Sequence, residues 1–300
     1  MTPTWSVMIP AFNCAKYLRG TLQSVMSQAL PAADMQICVV DDCSTMDDPE
    51  AVVREVGGGR VEFFRQPRNV GVTRNFNECV RRARGTLLHL LHGDDFVLPD
   101  FYSRVGDAAS HHPECGLFFT RAFFVDETGA IDDLTPRLKH LESGGTSLSP
   151  ITAGCPVQTP SVVVRRTTYE RAGMFDESLV HTADWEMWLR GTALCGALAI
   201  NVPLACYRVF AAAHSSGLRR NADNLRDYQR MVRQASRYLP DVDERQIAAW
   251  IAECALQQAR GFEARGDSEA ARENYAFFRE HAHWKVRCRE TLRQFARRLL

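Results

Sequence analysis

Through the first hundred positions, short apolar runs ending in polar turn residues alternate with stretches whose apolar residues recur at helical spacing. Trp5-Ser6-Val7-Met8-Ile9 predicts a compact strand stopped by Pro10, which cannot donate to a central ladder. After the loop Pro10-Ala11-Phe12-Asn13, the spacing of Tyr17, Leu18, Leu22 and Val25 predicts a helix that ends by Pro31. Met35 to Val40 predicts a second strand, ending in Asp41-Asp42-Cys43-Ser44-Thr45. Gly57-Gly58-Gly59 reads as a turn, Val61 to Phe64 as a third strand, and the run after Asn69-Val70-Gly71 as a helix from Arg74 to Ala83. Leu87 to Leu91 is a fourth strand, closed by His92-Gly93-Asp94-Asp95. Such alternation argues for an α/β protein with a mostly parallel, Rossmann-like sheet flanked by helices.

The pattern loosens past Asp95. Leu117–Phe119, Ala122–Val125, Ser161–Val164, Leu198–Ile200 and Ala205–Arg208 read as strands. A short helix is expected over Tyr169–Gly173 and another from Asp184, where Trp185, Trp188 and Leu189 fall on one face. Residues 129–160, rich in Gly, Ser, Thr and Pro, read as a long flexible segment of the kind that often serves as a lid. From Leu218 onward the pattern is nearly continuous helix, giving an expected division into a domain over 1–217 and a helical region over 218–300. In that region Ala255–Phe278 is similar to one tetratricopeptide helical hairpin. The last helix sets Trp284, Cys288, Leu292, Phe295 and Leu299 on one face among Lys285, Arg287, Arg289, Arg293, Arg297 and Arg298. Such a stripe either packs on the protein or lies on an anionic membrane, and packing is the favoured reading.

Composition narrows the function classes. Lys+Arg and Asp+Glu balance at 36 each, so no global field recruits nucleic acid, although 17 basic residues face 12 acidic ones beyond 217. The ten cysteines contain no C-x-x-C pair, which speaks against a zinc ribbon or a disulfide framework and for reduced thiols. Met1 to Trp5 lacks the basic flank and apolar core of a signal peptide, and the apolar stretches near Leu87 and Leu194 are too short to span a bilayer. A cytoplasmic protein is expected, with the basic last helix as the candidate contact to the inner face of a membrane. Neither Pro10–Asn13 nor the glycine triplet before the third strand is a Gly-rich phosphate loop opening a helix.

Two buried-looking strands end in paired aspartates, at the edge where open α/β sheets bind ligands. Adjacent carboxylates repel, so each pair needs a cation, a proton or donors nearby, although Gly-Asp-Asp is equally good turn chemistry. Pro10-Ala11-Phe12-Asn13, Asp41-Asp42-Cys43-Ser44-Thr45, Asn69-Val70-Gly71 with Arg74-Asn75, and His92-Gly93-Asp94-Asp95 occur in one order over residues 5–210. Together they resemble the family 2 glycosyltransferases, inverting enzymes of the GT-A fold. The resemblance implies transfer of a sugar from a nucleotide-diphosphate donor, UDP-linked by preference, to a glycan or lipid-linked acceptor hydroxyl in surface polysaccharide or glycolipid synthesis. It implies that Asp42 contacts the base, in a pocket lined by Pro10, Ala11 and Phe12, with Arg74 or Asn75 reaching the nucleotide. A divalent ion, Mn2+ or Mg2+, would be held by Asp95 with Asp94 toward the ribose or the ion, because oxygen ligands and a diphosphate suit such ions. Asp41 reads as a structural acceptor in its turn.

Departures from the family pattern are specific. His92 stands where Asp-x-Asp-Asp has its first acid, and is read as a partner of the site rather than a ligand. Ala183-Asp184-Trp185-Glu186 matches the family's segment at a helix start with Ala183 for the first acid, which makes Asp184 the candidate base; a helix-capping Asp is the plain alternative. Glu186 is the weaker candidate. Tyr207-Arg208-Val209-Phe210 resembles a Tyr-Arg-x-His segment with Phe210 for the His, leaving Arg208 to pair with phosphate and His214 as a distant substitute. Two alternatives remain: a non-catalytic nucleotide- or glycan-binding protein of the same fold, and a sugar-nucleotide nucleotidyltransferase, which would want the missing phosphate loop.

Overall fold

A computed structural model describes residues 4–148, 154–210, 214–239 and 243–282. The chain divides into two units, the first made of Met1–Ser178 with Ala183–Phe210 and the second of Leu179–Thr182 with Ala211–Leu300. In the first, strands β1 (Trp5–Ala11), β2 (Met35–Asp41), β3 (Glu62–Arg65) and β4 (Leu87–Leu90) alternate with helices α1 (Ala15–Met26), α2 (Pro49–Gly57) and α3 (Val72–Arg82). Then come β5 (Phe96–Val97), α4 (Phe101–His111), β6 (Leu117–Val125), β7 (Ile131–Leu134), β8 (Val162–Arg165), α5 (Arg166–Ala172), α6 (Ala183–Cys195) and β9 (Ala197–Arg208).

One nine-stranded sheet runs β3-β2-β1-β4-β8-β6-β9-β5, with β7 on β6. The expected parallel sheet is the β1–β4 half, where β1 pairs in parallel with β2 and β4, and β2 with β3. In the other half β8 runs antiparallel between β4 and β6, β5 and β7 are antiparallel additions, and only β6 and β9 run parallel. The sheet is therefore mixed. All residues of β1 and β2 are buried, as expected of central parallel strands.

Pro10 does not stop β1. Its carbonyl accepts from Gly93 N–H, and β4 has ended at Leu90, so the missing N–H falls where the regular ladder has finished. Helix α1 buries Leu18, Leu22 and Val25, each worth roughly 1.5–3 kcal/mol of apolar burial. Its first N–H, on Ala15, is satisfied by the Asp47 carboxylate from the loop after β2, which ties the first two strand-end loops together.

The segments expected as two strands each, 117–125 and 198–208, are single strands. β6 and β9 pass their polar interruptions by register shifts at Thr120–Ala122. The expected flexible segment is anchored over 129–148: β7 pairs with β6, and Leu138, Leu141 and Leu148 are buried. Residues 149–153 lie outside the described part.

His89, inside β4, is fully buried between Tyr102 Oη, 3.2 Å from Nδ1, and the Pro160 carbonyl, 2.9 Å from Nε2. Burial pushes its imidazole down to about 4. An unfolded histidine titrates near 6.5, so below that pH the unfolded chain takes up a proton that the folded chain refuses. The contribution of His89 is intact above pH 6.5 and falls away as the pH drops to 4, by about 3 kcal/mol over the window. Buried carboxyls with raised pKa act with the opposite sign but persist in a variant. In urea unfolding from pH 7 to 4.5, His89→Gln is expected to lose stability less steeply than the parent; equal slopes would sink the assignment.

The second unit contains α7 (His214–Arg220), α8 (Asp223–Ala235), α9 (Glu244–Ala264) and α10 (Ser268–His281). α9 and α10 form the expected helical hairpin. It turns at Gly266, whose φ of +76° is left-handed, and restarts with the Asp267 carboxylate accepting from Ala270 N–H. Buried Asp227 of α8 accepts from the N–H groups of Val180, His181 and Thr182 and from the Thr182 hydroxyl, which explains why 179–182 belong to this unit. The basic helix expected over 284–299 lies outside the described residues. Among the described residues no helix is long and apolar enough to cross a membrane.

Candidate active site at the carboxyl ends of the parallel strands

The registers of β1 with β2 and β4 place Ala11, Asp41-Asp42 and His92–Asp95 at one sheet edge. Backbone hydrogen bonds close this edge: Asp42 N–H donates to the Ala11 carbonyl, Leu91 N–H to Met8 and Gly93 N–H to Pro10. Pro10 and Ala11 are buried in the strand, whereas Phe12 is 47% exposed at its end. Asn13 locks the first loop to the second, its Oδ1 accepting from Thr45 and Met46 N–H.

Asp41 is the structural acceptor its turn predicts. Fully buried, it takes bonds from Ser44 N–H and Oγ and from Arg65 Nε at 2.7 Å. Asp42 accepts from Val70 N–H at 2.8 Å and Gly71 N–H at 3.0 Å, so this carboxylate holds the loop that opens α3. Gly71 has φ +90°, a conformation that a side chain would strain. Burial pushes the Asp42 carboxyl up and the two N–H donors partly offset that.

The two α3 residues expected at the nucleotide both have protein partners. Arg74 is exposed and paired with Glu177 at 3.0 Å. Asn75 is buried, its amide donating to the Val40 carbonyl and accepting from Gln66, which pins α3 to β2. A short polar side chain this deep must satisfy its own hydrogen bonds first.

The His92–Asp95 turn is gripped from beneath. Buried Thr21 of α1 donates through one hydroxyl to the carbonyls of Gly93 (3.0 Å) and Asp95 (2.7 Å). Position 93 has room only for glycine: a Cβ there would lie 2.7 Å from Cys14 Sγ. Asp95, 1% exposed, accepts from Arg208 N–H at 2.8 Å through Oδ1, while its Oδ2 is buried without a hydrogen-bond partner. His92 Nδ1 lies 3.3 Å from that oxygen, and His92 Nε2 is likewise buried and unpartnered. Burial alone would lower His92, but Asp95, then Asp94 and Asp184, outweigh it and the net shift is upward. Burial, and next the Asp95 charge, push the Asp94 carboxyl above its ordinary range.

His92, Asp94 and Asp95 each offer a ligand atom within 4.8 Å of the others. A buried carboxylate oxygen left unpaired beside two further ligand atoms is what a divalent cation satisfies, so the residues fit a metal site. A second such group, His112, Glu114 and Cys115, follows α4 at the other end of β6; there burial pushes the thiol up and Arg165 lies beside it.

Asp184, in the first turn of α6, accepts from the Thr159 hydroxyl at 2.9 Å through Oδ2 and from Trp185 N–H at 2.7 Å through Oδ1. Its carboxylate is near enough to His92 to contribute, after Asp95 and Asp94, to the upward shift of that imidazole. Glu186 is buried and paired with Arg190 at 2.8 Å, a structural pair. Arg208 sits beside the cluster as expected, but its Nε and Nη1 donate to the carbonyls of Asp94, Asp126 and Glu127 and its guanidinium covers the Tyr17 ring. Phe210 packs at 5.1 Å from that same ring. His214 opens α7 in the second unit, and its side chain lies outside the described ones.

Thr21, Thr159 and Phe76, whose ring stacks on His92 at 5.2 Å, are the contributors with no local sequence signal. Each reaches the site from another part of the chain.

Comparison with known proteins agrees with this geometry. Chondroitin synthase of Escherichia coli is 37% identical over 100 residues, 33% of this chain and 14% of that protein. An uncharacterized glycosyltransferase of Methanocaldococcus jannaschii is 24% identical over 195 residues, 63% of this chain and 64% of the other. The chain thus spans less than two thirds of either relative. Among solved structures, S. aureus TarS 1–349 in complex with UDP-GlcNAc matches with a TM-score of 0.62 at 15% identity, over 94% of this chain and 93% of that one. The mannosyltransferase PcManGT of Pyrobaculum calidifontis, in complex with GDP-Man and Mn2+, matches with a TM-score of 0.58 at 15% identity, over 98% and 85%. At that identity the likeness gives the fold, which is GT-A. The family model for glycosyl transferase family 2 covers residues 6–162, from β1 through all three strand-end loops to the start of β8. By that match, which spans more than half of its length, the chain belongs to glycosyl transferase family 2.

Proposed function

We propose that the first unit is an inverting, metal-dependent glycosyltransferase that moves a sugar from a UDP-linked donor to an acceptor hydroxyl, in building a surface polysaccharide or glycolipid. The observation that carries this reading is the buried, unpartnered Asp95 Oδ2, with ligand atoms of Asp94 and His92 within 4.8 Å of it. UDP and UDP-GlcNAc in the TarS complexes, and chondroitin synthesis in a relative, support the donor class; GDP-Man in PcManGT makes guanosine the competitor to test.

The base would lie on Phe12 and against the loop that Asp42 holds, whose remaining lone pairs face an imide N–H. Asp94 and Asp95 would hold a divalent ion, which when bound neutralises charge on the departing diphosphate. Asp184 then takes the acceptor proton. The acceptor oxygen bonds to the anomeric carbon from the face opposite the diphosphate, the carbon–oxygen bond to phosphate breaks, and the electron pair leaves with the nucleoside diphosphate. Hydrogen bonds from the Thr159 hydroxyl and Trp185 N–H fix the plane of the Asp184 carboxylate.

Calorimetric titration with UDP and with GDP, each with and without Mn2+, tests the reading. Metal-dependent binding of UDP, at least about tenfold tighter than GDP, is expected; a tenfold ratio is 1.4 kcal/mol. Binding of neither nucleotide in the presence of metal would sink it. UDP binding without donor hydrolysis or transfer to any acceptor would instead favour a non-catalytic module.

A further inference from the structure

We propose that His92 is itself a ligand of the divalent ion, so that this site holds the ion with one imidazole and two carboxylates and prefers Mn2+ to Mg2+. The inference rests on the donor-site reading above and concerns the residue that departs from the Asp-x-Asp-Asp pattern.

Distance is the first argument. Two ligand atoms about 2.1 Å from one ion are about 3.0 Å apart at neighbouring octahedral positions and about 3.4 Å apart at tetrahedral ones. His92 Nδ1 and Asp95 Oδ2 are 3.3 Å apart, inside that interval. The contact is an ion-pair distance rather than a well-aligned hydrogen bond, and Asp95 Oδ2, buried, keeps lone pairs to offer. The spacing lets a cation take the place of the proton between the two groups without moving either.

Orientation is the second. The imidazole is stacked on Phe76 of α3, with centroids 5.2 Å apart and planes 16° from parallel, and Phe76 is held by Phe175 at 5.4 Å. Asp95 is fixed from its other oxygen by Arg208 N–H, and the backbone between them by Thr21. Both ligands are therefore set before an ion arrives, which is what a metal site needs of its supporting shell.

Charge is the third. An imidazole in place of a carboxylate removes one negative charge and one hard oxygen from the site. Mg2+ demands oxygen and parts reluctantly with water, whereas transition ions accept imidazole readily, so the exchange penalises Mg2+ more than Mn2+.

The test uses the full chain with UDP, MnCl2 and MgCl2. Bound Mn2+ in the parent protein is expected to show nitrogen coupling in pulsed electron paramagnetic resonance, and His92→Asp, which restores the family residue, is expected to abolish it. The ratio of Mn2+ to Mg2+ affinity in the presence of UDP should fall by about tenfold to 100-fold in that variant. Bound Mn2+ without nitrogen coupling in the parent overturns the ligand role alone and leaves the donor site standing. Failure of UDP to bind with either ion overturns the donor-site reading as well. The spectroscopic arm needs no variant, so misfolding of His92→Asp cannot shelter the proposal.

Discussion

Asp184→Asn is expected to lower turnover by about 10³-fold, within the range that a general base contributes, while metal-dependent nucleotide binding stays within a few-fold of the parent. The amide keeps the volume of the side chain, and its oxygen can still accept one of the two bonds now made by Trp185 N–H and the Thr159 hydroxyl. What it cannot do is take a proton. The split between kcat and nucleotide affinity is the informative reading, because a capping residue whose loss loosened α6 would weaken both. Thr159→Val extends the test: it removes only a hydrogen bond that orients the carboxylate, so turnover should fall while nucleotide affinity holds, and Thr159→Ser should restore it. Undiminished transfer in Asp184→Asn would remove Asp184 as base.

Asp95→Asn is expected to have the other large effect, a loss of about 100-fold or more in the enhancement that Mn2+ gives to UDP binding, a magnitude set by the 10–100-fold cost of disturbing even a ligand's supporting partner. Its oxygen can continue to accept from Arg208 N–H, so β9 stays tied to the turn. The other position loses its charge and becomes a donor facing His92, which no cation tolerates. Thermal unfolding of the two proteins checks that the fold survives. An unchanged metal response would show that Asp95 is a structural acceptor and nothing more.

How much of this was legible beforehand depends on whether a residue acts on its neighbours in sequence or on distant ones. The strands β1, β2 and β4 were legible because they are buried on both faces and end abruptly in turn residues, and the paired aspartates marked their carboxyl ends. Helix α4, absent from the expected elements, was legible in the helical spacing of Phe101, Val105 and Ala109. So was α2, where Asp48 caps and Pro49 starts the helix. The antiparallel half of the sheet was not legible, since β8 pairs with β4 and β6 across 40 to 80 residues and nothing local fixes its direction. At the site, residue types suggested chemistry but carried no information on orientation. Arg74 and Asn75 had the right chemistry, yet one is drawn outward by Glu177 and the other inward by an unmet carbonyl on Val40.

The double grip of Asp42 on the 70–71 backbone has a consequence for redesign. In the proposed donor site its strand-end position would make it the handle for exchanging one nucleobase for another, but any replacement there also releases two main-chain amides and the start of a helix. Changes of donor preference scored at that position would confound lost recognition with a collapsed wall. Phe12, exposed and outside that hydrogen-bond web, is the better lever: a library built on it with Asp42 held constant separates selectivity from folding.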